Sequence, residues 1–81
     1  MKTQVRVITH LAHEQIVKEA LERGGYPIAE RTEYEPLKDI CFLVDHPDIP
    51  FSLDAAALKM TVLRWLSHRL DKEIFYVVMG A

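Results

Sequence analysis

The chain has 81 residues, 49% of them apolar and 27% charged, and its formal net charge is −2. This composition is typical of a globular domain, so it excludes extensive disorder, and the length predicts one domain spanning residues 1–81. Basic residues are scattered, and no apolar stretch approaches the roughly 18 residues of a membrane span, so neither nucleic-acid nor membrane binding is expected.

The first quarter of the chain predicts a strand followed by a helix. Apolar residues alternate from Val5 to Thr9, which indicates a strand that is at least half-buried. Thr9 or His10 is then placed to cap a helix, because either side chain can accept a backbone N–H. Apolar residues follow at helical spacing until Gly24-Gly25, a pair typical of a helix end.

The middle of the chain predicts two strands of opposite character. The stretch from Ile28 to Glu35 is polar and dotted with charges, as edge strands usually are. The stretch from Ile40 to Val44 is apolar throughout, which is typical of a central strand. It includes Cys41, the only cysteine, for which a buried and inert thiol is expected.

The last part predicts a second helix and a final strand. The helix is expected from Ser52 to Leu70, with Ser52 as its N-cap, and its apolar arc is wider than one sheet contact requires. The strand is expected from Ile74 to Met79 and is wholly apolar.

The predicted order is strand, helix, strand, strand, helix, strand. Right-handed crossovers make a two-layer split β-α-β sandwich the simplest α+β solution. This ferredoxin-like arrangement has a four-stranded antiparallel sheet and two helices on one face. Its sheet order, 4-1-3-2, puts the apolar last strand at an edge. Such an edge needs a covering partner, unless the strand is instead central.

Two polar clusters are candidates for chemistry. His10 and His13 are spaced to share one face of a helical turn, and His46 is a third possible metal ligand. Asp45 and His46 follow the central strand, where a histidine beside carboxylates can act as an acid-base group. Capping and a rigid turn are the simpler interpretations of both clusters.

The candidate partner surfaces lie on the second helix and on the edge strands. Trp, Arg and Met are enriched at interface hot spots, and Trp65 is flanked by polar residues on its helix. The predicted interface residues are Trp65, Arg64, His68, Tyr76, Val78, Glu33 and Tyr34.

The sequence therefore favours a non-catalytic protein-interaction module: a regulator, inhibitor or adaptor of a larger protein. It is expected to self-associate through the C-terminal strand or the second helix. The alternative is a small-molecule or metal-sensing domain, or a minor enzyme, with a pocket near His10, His13, Asp45 and His46. No phosphate-binding glycine loop, paired-cysteine motif or known nucleophile spacing is present, so no cofactor is expected. The lone cysteine and the lack of a visible signal peptide predict a cytoplasmic protein.

Overall fold

A computed structural model describes residues 2–80, which form one antiparallel sheet and two α-helices. The strands are β1 (Gln4–His10), β2 (Ile28–Tyr34), β3 (Asp39–Asp45) and β4 (Phe75–Met79). The helices are α1 (Glu14–Arg23) and α2 (Ala55–Ser67), and short 3-10 helices precede α1 (Leu11–His13) and β4 (Lys72–Ile74). The predicted α+β class with one four-stranded sheet and two helices is confirmed.

The strands lie in the order β2-β3-β1-β4, and every neighbouring pair is antiparallel. The apolar β3 is an inner strand, whereas the polar β2 and the apolar β4 are the two edges. In the middle of the sheet, Val7 of β1 lies opposite Phe42 of β3 and Val77 of β4. The sequence left open whether the last strand is central or at an edge, and the structure places it at an edge.

Both helices pack on the same face of the sheet. Alternate residues of β1, such as Val5 and Val7, point to this face and are fully buried. The helices contribute six buried side chains to the core: Val17, Ala20 and Leu21 of α1, and Leu58, Val62 and Leu66 of α2. Burying one such large aliphatic side chain contributes about 1.5–3 kcal/mol, so this single layer of contacts is the main source of stability.

The helix α2 begins at Ala55, so the prediction that Ser52 caps it was wrong. The N-cap is Asp54, whose Oδ1 accepts the N–H of Ala57 at 2.8 Å. The Leu53 N–H is bonded elsewhere, to Nε2 of His46 at 2.9 Å, which holds the chain in a non-helical conformation just before the cap. The helix also ends at Ser67 rather than at Leu70.

The helical region after β1 begins with a cap from His10. Its Nδ1 accepts the N–H of Ala12 at 3.0 Å, at the start of the 3-10 helix Leu11–His13. Thr9, the other candidate cap, is buried and donates its hydroxyl to the carbonyl oxygen of Ile74 at 2.6 Å. Thr9 therefore anchors the entry to β4 instead of capping a helix.

Candidate functional site

The β4 edge presents a free and wholly apolar strand. Within residues 2–80, β4 pairs only with β1, in an unbroken register from Val5–Met79 to Thr9–Phe75. Its sequence, Phe-Tyr-Val-Val-Met, contains no charge and no proline. Tyr76 is 55% exposed and Met79 is 49% exposed. Charges, prolines and bulges are the usual devices that stop an edge strand from pairing with another chain, and β4 has none of them.

The β2 edge, in contrast, carries all three protective features. A β-bulge shifts its register between Ile28 and Glu30, which leaves Ala29 as the extra residue. Prolines lie at both ends of the strand, and its charged residues are Glu30, Arg31 and Glu33. The two edges of one sheet therefore differ sharply in their readiness to accept a further strand.

Arg31 links β2, the protected edge of the sheet, to α1. Its guanidinium donates to both carboxylate oxygens of Glu14, with Nη2 at 2.9 Å from Oε1, and to Oε1 of Glu33 at 3.1 Å. The bulge makes this possible because it places Arg31 opposite Phe42, on the helix-covered side. The hydrogen bond from Arg31 lowers the pKa of Glu14. Glu33, a predicted interface residue, is thus already paired within the chain.

The carboxyl groups of Glu33 and Glu35, at the end of β2, interact with each other. Two hydrogen bonds lower the pKa of Glu33: the larger effect comes from Glu35 and the smaller one from Arg31. The same shared hydrogen bond raises the pKa of Glu35. Both groups are solvent-exposed, so this pair is a feature of a solvated strand end.

The sheet face opposite the helices carries one arginine among apolar and polar side chains. Nη1 of Arg6 donates to the Sγ of buried Cys41 at 3.7 Å, and this hydrogen bond raises the pKa of Arg6. No carboxylate lies within ion-pair distance of Arg6 over the described part of the chain. The strand registers place Ile8, Leu43, Tyr34, Tyr76 and Val78 on this same face, together with the polar Glu30 and Thr32 of β2. Three predicted interface residues, Tyr34, Tyr76 and Val78, thus share one surface.

The other three predicted interface residues lie together on α2, away from that face. Trp65, Arg64 and His68 line a cleft of about 240 Å³ near the end of the helix. The indole is engaged within the chain, because Trp65 Nε1 donates to the carbonyl oxygen of Ala20 at 2.7 Å. The guanidinium of Arg69 lies 3.2 Å from the centroid of the indole. An interface role for this cluster stays a prediction.

The four residues of the predicted alternative pocket do not line one cavity. His10 and His13 line a cleft of about 250 Å³ beside Asp39 and Glu73. Asp45 and His46 line another, next to Lys2 and Thr3. The register pairs His10 with Asp39 and Gln4 with Asp45, so the two clefts are about 20 Å apart along the strands. Within residues 2–80, no group of three or more His, Cys, Asp or Glu side chains is arranged to hold a metal ion.

His46 has a structural role at the end of β3. Its Nε2 accepts the Leu53 N–H, and its Nδ1 lies 2.7 Å from the carbonyl oxygen of Pro47. This pattern assigns the neutral tautomer with the proton on Nδ1, since a carbonyl oxygen can only accept. Both ring nitrogens are therefore occupied in shaping the loop that leads to α2.

A search for related proteins found no match among protein families, curated proteins or solved structures. Neither helix within residues 2–80 has the length and apolar character needed to cross a membrane.

Some residues of these surfaces were not singled out by the sequence. Arg69 follows Trp65 by four residues, a spacing that puts the two side chains on one face of a helix predicted to run to Leu70. The Arg31–Glu14 pair had no such signal, because it depends on the bulge in β2. Arg6 is one of the scattered basic residues, and nothing in the local sequence distinguishes it from the others.

Proposed function

We propose that the chain is a small non-catalytic protein-interaction module that self-associates by pairing its β4 strand with β4 of a second copy. The observation that carries the proposal is the contrast between an unguarded apolar β4 and a guarded β2. The sheet order, read from β4, supports assigning the fold to the ferredoxin-like split β-α-β sandwich, in which the last strand is an edge.

The sequence of β4 is suited to pairing with itself. An antiparallel pair centred on Val77 sets Val77 against Val77, Tyr76 against Val78, and Phe75 against Met79 of the second copy. Every cross-strand pair is apolar, and aromatic pairs with β-branched residues are among the favourable ones. A two-fold interface requires such self-complementarity, because the same patch is used by both subunits.

Pairing would join the two sheets into one sheet of eight strands. The two helix layers would lie on one side of it, and the two faces that carry Arg6 on the other. This joined face is larger than the face of either subunit alone, so it offers more area for binding a target protein. A regulator, inhibitor or adaptor of a larger protein is the class of molecule that this arrangement fits.

The test is the mass of the protein in solution, measured by size-exclusion chromatography with light scattering. We expect the wild type to run as a dimer at micromolar concentration and Tyr76→Lys to run as a folded monomer. Thr32→Lys is the matched control, because it adds the same charge to the same sheet face at the β2 edge, and it should remain dimeric. A monomeric wild type, or a dimer in both variants, would reject pairing through β4.

A small-molecule-binding role is the alternative, and one observation favours it. A cleft of about 600 Å³ separates α1 from β2, with Ile28 and Phe42 among its lining residues and Lys18 and Glu22 on the helix side. Its volume lies within the usual range for ligand pockets. A screen of metabolites by thermal shift tests this alternative, because a ligand that binds only the folded state raises the melting temperature.

A further inference from the structure

The cleft near the end of α2 is cationic in a chain that is acidic overall. Arg64, His68 and Arg69 line it, together with Tyr26, Thr61 and Trp65. The whole chain has 12 acidic and 10 basic residues, yet among residues 2–80 no Asp or Glu lines this cleft. Such local concentration of one sign of charge attracts ligands of the opposite sign.

One of the two guanidinium groups is held in a fixed position. Arg69 stacks on the indole of Trp65, and its Nη1 donates to the Trp65 carbonyl oxygen at 3.3 Å. The indole is itself fixed, because Nε1 bonds to the carbonyl oxygen of Ala20 and because Gly24 leaves room for it. A Cβ atom at Gly24 would lie 2.7 Å from Trp65. Less conformational entropy is lost on binding when the binding group is already ordered.

Cations near a helix C-terminus are often explained by the helix dipole alone. The bond from Arg69 to the Trp65 carbonyl is of that kind, but it uses one of the five N–H groups of a guanidinium. Neither Arg64 nor Arg69 pairs with a carboxylate within residues 2–80. The remaining donors of both side chains are therefore free to bind an external group.

We propose that this cleft binds a phosphate group, either as inorganic phosphate or as a phosphate monoester. Guanidinium groups match the geometry of phosphate oxygens and bind them through paired hydrogen bonds. A dianionic phosphate also matches the charge of two arginines better than a single carboxylate does. Tyr26 and Thr61 line the same cleft, and the Thr61 hydroxyl donates to the Ala57 carbonyl oxygen at 2.8 Å, which leaves the arginines as the main donors to a phosphate.

Trp65 is the only tryptophan, so its fluorescence reports directly on the cleft. We expect a saturable change in emission when the wild type is titrated with inorganic phosphate or phenyl phosphate. Benzoate, the carboxylate comparison, should bind more weakly than either. Arg64→Gln and Arg69→Gln should each weaken phosphate binding by about tenfold, the value of one lost charge-assisted hydrogen bond. Calorimetry provides the same comparison without relying on emission, which Arg69→Gln itself changes.

Lys18→Gln is the matched control, because it removes one exposed positive charge from the other side of α1. It should bind phosphate as the wild type does. Three results would overturn the proposal. They are a loss of phosphate affinity in Lys18→Gln as large as in the arginine variants, tighter binding of benzoate than of phenyl phosphate, and the absence of a saturable signal or heat with inorganic phosphate. Tyr76→Lys should bind phosphate normally, so this result is independent of pairing through β4.

Discussion

At the scale of single residues, a few side chains fix segments that are distant in sequence. The ring of His46 holds Leu53 through a backbone N–H, and the hydroxyl of Thr9 holds Ile74 through a carbonyl oxygen. Arg31 joins β2 to α1 through Glu14. Buried polar groups need such partners, and within residues 2–80 no buried side-chain nitrogen or oxygen lacks one.

The Glu14–Arg31 pair predicts a defined pH dependence of stability. The pKa of Glu14 is lowered in the folded state, chiefly by its hydrogen bond from Arg31, so the folded state binds the proton more weakly than the unfolded state. The stability that Glu14 contributes is therefore complete above its ordinary pKa of 4.5 and is lost as the pH falls through the lowered pKa. Glu14→Gln removes this contribution.

Thermal unfolding measured from about pH 6 to about pH 3 tests this prediction. The wild type should melt higher than Glu14→Gln at the neutral end, and the two should converge at the acidic end. Glu22→Gln, on the same helix but without a hydrogen bond from Arg31, should keep the pH dependence of the wild type. A gap between wild type and Glu14→Gln that stays constant with pH would contradict the assignment.

At the scale of elements, periodicity and composition were enough to predict the order of strands and helices. The apolar runs at β3 and β4 and the Gly24-Gly25 helix end were read correctly because they depend on local residue choice. The sequence predicts that α2 starts at Ser52, because Ser is a good N-cap in isolation. The competing hydrogen bond, from the Leu53 N–H to the His46 ring, is a tertiary contact across a loop. No local sequence pattern predicts it.

The corrected cap gives a prediction at this scale. Asp54→Ala removes the acceptor for the Ala57 N–H and should lower the free energy of unfolding by about 1 kcal/mol. Ser52→Ala, at an exposed site outside the helix, should change it by less than about 0.5 kcal/mol. Urea denaturation followed by circular dichroism measures both. If Ser52→Ala lowered the free energy of unfolding more than Asp54→Ala does, Ser52 would be the N-cap, as the sequence predicts.

At the scale of the whole molecule, antiparallel pairing decides which residues can meet. His10 lies at the carboxyl end of β1, and Asp45 lies at the carboxyl end of β3. The carboxyl ends of neighbouring strands coincide only when the strands are parallel, and β1 and β3 are antiparallel. The pocket expected from the sequence is therefore two separate clefts. The strand order predicted from the same sequence already implied this, because it makes β1 and β3 antiparallel neighbours.

The two unlike edges of the sheet predict different responses to protein concentration. The proposed pairing through β4 would give its outward backbone N–H groups hydrogen-bond partners, whereas those of β2 would stay in solvent. Hydrogen exchange of the amides of Phe75–Met79 should therefore slow as the concentration is raised through the dissociation constant, while exchange in Ile28–Tyr34 stays unchanged. In Tyr76→Lys both strands should exchange at rates independent of concentration. Concentration-dependent protection confined to α2, with none in β4, would place the dimer contact on the second helix instead.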